Sequence, residues 1–215
     1  MTSPVRTTKR IAIFPLGGAI LFPGLQLPLH IFEPRYRAMV SKALASDRLI
    51  GMVQPRTGAT SRDPDRPALF DIGCLGKITD VEALDDGNYN IVLSGEARFR
   101  VEREVTRDTP YRIIEAAIEE DAPEEAALAS SERAALEQAA RKFALAQGYV
   151  VDWGSVANLD DRTLVNGISQ VAPFDAAAKQ ALLEAATLRD RSELAIQLMQ
   201  FFGRHDGDDT LVTLQ

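Results

Sequence analysis

IAIFPLGGAILFPGLQLPLHIFEPRYRAMV, residues 11–40, decides how the rest of the chain is read. Residues 11–32 contain no charged side chain, and Arg6, Lys9 and Arg10 stand just before them. The layout imitates an export signal or a membrane anchor, and its length alone would permit a span. Pro15, Pro23 and Pro28 interrupt it, together with Gly17, Gly18 and Gly24. A proline inside a helix costs about 3 kcal/mol and a glycine about 1 kcal/mol, so six breakers weigh against one continuous helix. No small-x-small cleavage site follows an unbroken apolar run. The stretch therefore reads as extended chain folded into a globule, with no membrane partner.

Within it, residues 25–31 place Leu25, Leu27, Leu29 and Ile31 on alternate positions, which share one face of a strand. Gln26, Pro28 and His30 share the other face. Pro28 has no N–H for a ladder, so the strand is expected at an edge or at a bulge. Glu33-Pro34 then opens a helix, because proline suits the first turn and pushes its predecessor out of helical geometry. Tyr36, Met39, Val40, Ala43 and Leu44 fall on one stripe, and the helix is expected to end near Asp47.

Phe14-Pro15-Leu16, Leu21-Phe22-Pro23-Gly24, Leu27-Pro28-Leu29, Ile31-Phe32-Glu33 and Arg35-Tyr36 together resemble the opening motif of the LON N-terminal domain, the substrate-binding domain of ATP-dependent Lon proteases. The strand pair within residues 73–101, with its glycine and Arg98-Phe99, and the segment 182–195, LLEAATLRDRSELA, are similar to later parts of that domain. The resemblance covers residues 10–202. It implies an α+β fold: a β-rich, PUA-like pseudo-barrel over residues 10–120 followed by a C-terminal α-helical bundle over 121–203. Residues 204–215 are expected to form an acidic, disordered tail.

Composition agrees with a folded, export-free protein. The chain has 215 residues, 46% of them hydrophobic, with a net charge of −7, which gives no global attraction to nucleic acid. The single cysteine, Cys74, excludes an internal disulfide and a thiolate zinc site, and a reducing cytoplasm is the expected location. Flanked by Ile72-Gly73 and Leu75-Gly76, it reads as a buried, inert thiol.

Further along, residues 10–16 and 49–53 read as strands. Residues 56–67, RTGATSRDPDRP, read as a long solvated loop whose Arg56, Arg62 and Arg66 could meet an anion. Residues 70–84 and 88–105 read as long strands joined at Asp86-Gly87, a pair that suits a type I′ hairpin with positive φ at both central positions. Gly95 falls where the alternation slips, which suggests a bulge. Arg98, Arg100 and Arg103 are interleaved with Glu96, Glu102 and Glu104, so cross-strand pairing is favoured over contact with RNA. Residues 111–118 close the β-rich part. Asp121 and Glu124 resemble a helix start, and residues 124–147 the helix, ended by Gly148. Asp160 or Asp161, then Asp175, then Thr187 with Asp190 supply later helix caps. Gly203 is placed to stop the last helix.

No phosphate loop, nucleophile elbow or dinucleotide fingerprint is present. His30 and His205 are the only histidines, without paired ligand spacing. No catalytic residue, metal or cofactor is implied. The resemblance implies a non-catalytic module that binds exposed apolar segments of unfolded or partly folded polypeptides, with a separate ATPase or protease as a candidate companion. The candidate contacts are Ile20, Leu21, Phe22 and Pro23 in the turn-rich loop, with Pro28 and His30 at the strand edge. Burial of that loop is the competing reading. A small-molecule binder or enzyme with a pocket between barrel and bundle, and a PUA-like RNA binder, are the alternatives. The oligomeric state is not encoded in any feature of the sequence.

Overall fold

The computed structural model describes residues 7–56, 66–105, 108–119 and 127–205, with Arg204 and His205 described by backbone only. The chain divides into two compact units, Met1–Asp121 and Ala122–Gln215. The first holds β1 (Thr7–Pro15), β2 (Gln26–Ile31), α1 (Pro34–Leu44), β3 (Leu49–Val53), β4 (Ile72–Ala83), β5 (Tyr89–Val105) and β6 (Arg112–Glu119). The second holds α2 (Ser130–Ala146), α3 (Trp153–Ala157), α4 (Asp161–Val171), α5 (Ala176–Glu184) and α6 (Leu188–His205). The fold is α+β, a mixed sheet closing into a near-barrel ring and then helices in the sequence.

Ring closure depends on the length of β5. Along one edge it pairs with β4; along the other its first half pairs with β2 and its second half with β6. Since β6 pairs with β1, β1 with β3 in parallel, and β3 with β4, the circuit closes. The two halves of β5 are separated by a bulge: Gly76 faces Gly95 but Leu75 faces Ala97, so Glu96 is the extra residue. An extra residue bends a strand and sharpens its twist, which lets one strand serve two neighbours on the same edge.

Glycines along this seam admit neighbours that a side chain would block. A Cβ added at Gly95 would lie 2.1 Å from the carbonyl oxygen of Phe22, and one at Gly73 would lie 2.4 Å from the Phe99 ring. The loop between β1 and β2 is stitched to the bulge: Gly24 N–H donates to Gly95 O at 2.9 Å, and Gly95 N–H to Leu25 O at 2.8 Å. Ile20, Leu21, Phe22 and Pro23 are consequently all buried, Leu21 and Phe22 completely. Leu21 joins a core with Met39, Val40, Ile50, Ile78 and Leu93; Phe99 centres a second with Ile13, Val53 and Ile114. Cys74 is buried.

Pro34 begins α1 as its motif requires, and Tyr36, Met39, Val40 and Ala43 are its buried face. The β4–β5 hairpin differs from expectation. Gly87 has φ 78°, but no positive φ occurs at Asp85 or Asp86. Gly87 N–H donates to Leu84 O at 2.9 Å and Leu84 N–H to Asn88 O at 2.9 Å. This is a type I turn followed by a left-handed glycine rather than type I′. The Asp86 carboxylate fixes it by accepting from the Asn88 backbone N–H at 3.0 Å and from its side-chain amide at 2.7 Å.

Charged residues on the strands pair across the sheet. Arg100 meets Glu119 at 3.1 Å, and Arg103 meets Glu115 at 2.6 Å. Their partners lie on β6 rather than on β5 itself. Arg56 meets Asp71 at 3.0 Å, and Arg66 meets Glu104, which also accepts two bonds from Arg112 at 3.1 and 2.9 Å. Arg62 lies outside the described residues.

In the helical unit the structure starts α2 at Ser130, later than the sequence suggests. Residues 127–129 are not helical, while Asp121 and Glu124 lie outside the described residues. Glu132 accepts from the Ala129 N–H at 2.9 Å, and Asp161 from the Leu128 N–H at 2.8 Å, so acids supplied from within α2 and from α4 anchor this end. Gly148, at φ 70°, ends α2. Asp160 and Asp175 cap α4 and α5. Thr187 and Asp190 form a reciprocal box: the hydroxyl accepts from Asp190 N–H at 3.1 Å and the carboxylate from Thr187 N–H at 3.3 Å. Gly203 does not stop α6, which runs on to His205. A Cβ there would lie 3.4 Å from Phe143 on α2, an ordinary van der Waals contact. Arg191 is buried and ties three helices together. It donates to Leu182 O at 2.8 Å and to Asn166 Oδ1 at 2.7 Å, satisfying a carbonyl near the α5 C-terminus. Residues 206–215, the remainder of the expected tail, lie outside the described residues.

Gly95→Ala is expected to lower stability by about 1–3 kcal/mol, since the new methyl must displace backbone rather than a flexible side chain; chemical denaturation measures it. Burial pushes the Glu104 carboxyl upward, but hydrogen bonds from Arg112 and Arg66 outweigh it and hold its pKa below the usual value. A depressed carboxyl stabilises the fold above the unfolded pKa of about 4.3 and loses that contribution as pH falls through the folded value. Glu104→Gln should therefore cost about 1 kcal/mol at pH 7 and narrow its deficit below about pH 4, read from thermal melts across that range.

Candidate functional site

The most concentrated exposed apolar surface among the described residues lies in the helical unit. Asp152 starts α3 by accepting from the backbone N–H groups of Gly154 and Ser155 at 3.0 and 3.2 Å. Asp160 starts α4 by accepting from Thr163 N–H at 2.9 Å. The Ser155 hydroxyl and those backbone donors hold the Asp152 carboxyl below its ordinary pKa; the Thr163 hydroxyl and N–H do the same for Asp160. Both caps therefore stay ionised at neutral pH. Asp161 holds the neighbouring turn to α2 through Arg133, at 2.5 Å.

These two caps set the starts of α3 and α4, and apolar side chains of residues 149–172 share a cavity with residues of α2. Trp153, Val156, Leu159, Leu164 and Ile168 face Phe143 and Met199 around an open cavity of about 250 Å³ whose walls are almost entirely carbon. Tyr149 and Val171 stand at its margin, and Val150 and Leu145 lie close by in sequence. Val171 is 81% exposed and Leu145 83% exposed. Scattered single apolar residues on a surface need no explanation, but a group around an apolar concavity marks an interaction site. The Arg141 guanidinium lies 4.4 Å from the centroid of the Trp153 ring, which lines the cavity. Phe143, which lines the cavity, begins a row with Phe174 and Phe202 in which successive ring centroids are 5.8 and 5.5 Å apart.

The six residues singled out from the sequence fall in two places. Ile20, Leu21, Phe22 and Pro23 are interior, seated under the β5 bulge, so their side chains are not offered at the surface. Pro28 and His30 are exposed on β2. β2 pairs with β5 alone among the described strands, the edge position expected of a strand with a central proline. His30 Nδ1 and Asn90 Oδ1 are 2.8 Å apart, and Asn90 donates to Glu82 at 2.8 Å. The Phe32 ring stacks 6.1 Å from His30 and is 60% exposed. A second cleft, of about 260 Å³, opens in the β-rich unit beside Arg10, Lys42, Asp47, Thr109 and Tyr111. Arg10 and Asp47 there are engaged by Glu115 and Lys9, at 3.0 and 2.8 Å.

The apolar cavity escapes a reading of the sequence because its lining comes from four separate segments, none of which carries a motif. The one available signal is the run 149–156, YVVDWGSV, apolar and aromatic where a linker between helices would ordinarily be polar. Among the described residues, no group of three or more His, Cys, Asp or Glu side chains is placed to hold a metal ion. No described helix is long and apolar enough to cross a membrane.

A ring-closed mixed sheet followed in the chain by a run of helices is the architecture of a known class of binding domain. Residues 10–200 match the ATP-dependent protease La (LON) substrate-binding domain, and the chain belongs to that family. It is similar to the Lon protease of Rhizobium meliloti (strain 1021), 24% identical over 203 residues, covering 93% of this chain and 25% of that protein. Against Lon protease 2 of Myxococcus xanthus it is 34% identical over 101 residues, 47% of this chain and 12% of the relative. The chain thus spans a quarter or less of these relatives. The Lon N-terminal domain protein of Xanthomonas campestris has the same fold, with a TM-score of 0.66 at 21% identity, covering 88% of this chain and 98% of that one. The N-terminal domain of the Mycobacterium avium complex Lon protease superposes with a TM-score of 0.65 at 19% identity, covering 89% and 98%.

Proposed function

We propose that this chain is a non-catalytic binding module for exposed apolar segments of unfolded or partly folded polypeptides, working beside a separate ATPase or protease. The observation that carries the reading is the open, carbon-lined cavity between α2, α3 and α4, with Tyr149 and Val171 on its margin. Membership of the LON substrate-binding domain family supports it. A cavity with almost no polar lining has no means of reading sequence through hydrogen bonds. It selects for apolar bulk, at about 25 cal/mol per Å² removed from water. Two seated side chains contribute about 3–6 kcal/mol, which corresponds to weak, sequence-tolerant binding with a Kd from about 40 μM to about 6 mM. Contact through the loop 20–23 is no part of this reading, because those side chains already fill the core. The exposed Pro28 and His30 on β2 offer an accessory contact to an extended segment.

The test is fluorescence anisotropy of labelled β-casein, an unfolded polypeptide, against the full chain and its variants. Val171→Asp combined with Leu159→Asp should weaken binding about tenfold, with the thermal melt nearly unchanged because both side chains are exposed. His30→Ala should change it less than about twofold. Equal binding by the double variant and the parent protein contradicts the assignment to this cavity.

A further inference from the structure

We propose that the free edge of β2 pairs with β2 of a second copy of this chain, antiparallel and about a two-fold axis that passes between the two copies of His30. The pairing is independent of the apolar cavity in the helical unit.

The backbone sets which groups the edge offers. Gly95 N–H donates to Leu25 O at 2.8 Å, beside the pair Gln26–Ser94. Ladder bonds alternate along an antiparallel pair, so Leu27, Leu29 and Ile31 exchange them with Leu93, Ile91 and Tyr89. Pro28 and His30 turn their backbone groups the other way, and Phe32 follows in the same phase. Pro28 agrees with this phase: it has no N–H, and it faces Val92 at a position where β5 asks for none. Among the described residues no strand pairs with the outer edge, and none bonds to the backbone of Pro28, His30 or Phe32. Leu27 and Leu29 pack against the core cluster yet are only half-buried, as core-facing side chains are on a strand with an open edge.

This edge is complementary to itself. With His30 opposite His30 of the second copy, each His30 N–H meets the other's carbonyl, and each Phe32 N–H meets the Pro28 carbonyl of the other copy. The donor that Pro28 lacks would have gone to the Phe32 carbonyl, where the chain leaves the strand, so the proline costs little in this register. The same register sets the Phe32 ring, 60% exposed, against Pro28 of the second copy, and does so twice. His30 leaves room at the axis: its Nδ1 lies 2.8 Å from Asn90 Oδ1, so each imidazole leans on its own β5. Charge favours the same occupant. The chain carries a net −7, and two copies repel wherever their acids face each other. Residues 11–32 hold no charged side chain, and Glu33 just beyond is paired with Arg35 at 2.8 Å. β2 is thus an edge on which two acidic copies meet without opposing like charges, and it lacks the charged residues that guard a solvent-facing edge. The contact, residues 28–32 of each copy, is well below the about 1,200 Å² of a standard interface, which makes the dimer weak. Pairing also closes the edge, so the accessory contact at Pro28 and His30 belongs to the monomer.

Sedimentation velocity of the full chain from about 10 to about 500 μM, where interfaces of this size associate, tests the pairing. The parent chain should pass from monomer to dimer across that range. His30→Pro removes the outward donor without touching a bond to β5, and Phe32→Asp removes the ring that meets Pro28. Each should weaken association about tenfold or more, with the thermal melt at low concentration nearly unchanged because both side chains are exposed. If His30→Pro fails to fold, Phe32→Asp decides. A parent chain that stays monomeric throughout overturns the proposal, and so does a dimer that persists undiminished in the folded variants. A dimer dispersed by Val171→Asp with Leu159→Asp also overturns it, since that result places the second copy on the helical unit.

Discussion

The contact between the Phe22 carbonyl and Gly95 is the constraint on which the β-rich unit depends. A backbone atom of the entry loop occupies the space where any other residue at 95 would carry its Cβ. Two hydrogen bonds, from Gly24 and to Leu25, hold the loop there. The bulge at Glu96 follows in the next residue and turns β5 from β2 to β6. Without the seat at Gly95, the loop has nowhere to bury Leu21 and Phe22, and β5 has no bend with which to close the ring. The family's most recognisable stretch is thus a folding device first.

That assignment moves the proposed interaction surface. An uncharged loop containing Ile20, Leu21 and Phe22 invites a binding role when read as text, because apolar residues in a loop must be either covered or offered. Here they are covered, and the offered apolar surface lies in the helical unit around Trp153 and Val171. Helices start in quick succession there because Asp152 and Asp160 each cap the next one. Short helices with tight caps leave concave surface between them, where longer helices would pack along their lengths.

Much of the fold is legible in the sequence because it rests on local chemistry. Alternation in residues 25–31, Pro34 at a helix start, Asp160, Asp175 and the Thr187–Asp190 pair at others, and Gly95 at a bulge each act within a few residues of their own position. The departures share a cause. Asp86-Gly87 is compatible with two hairpin geometries, and the Asp86 carboxylate accepting from Asn88 goes with the one observed. The start of α2 depends on Asp161, distant in sequence on α4, accepting from Leu128. Gly203 reads as a stop, but α6 runs on past it to His205. The candidate site is the least legible part, since a cavity built from α2, a linker, α3, α4 and one methionine of α6 has no signature at any fixed spacing.

The central claim is that outside polypeptides meet the helical unit and that the loop beneath the β5 bulge only holds the fold. Hydrogen–deuterium exchange of the full chain, with and without saturating β-casein, tests it directly. The account predicts slowed exchange in residues 149–172 and in the second half of α2, with residues 19–25 unchanged. Slowed exchange confined to residues 19–32, with 149–172 unaffected, would contradict it.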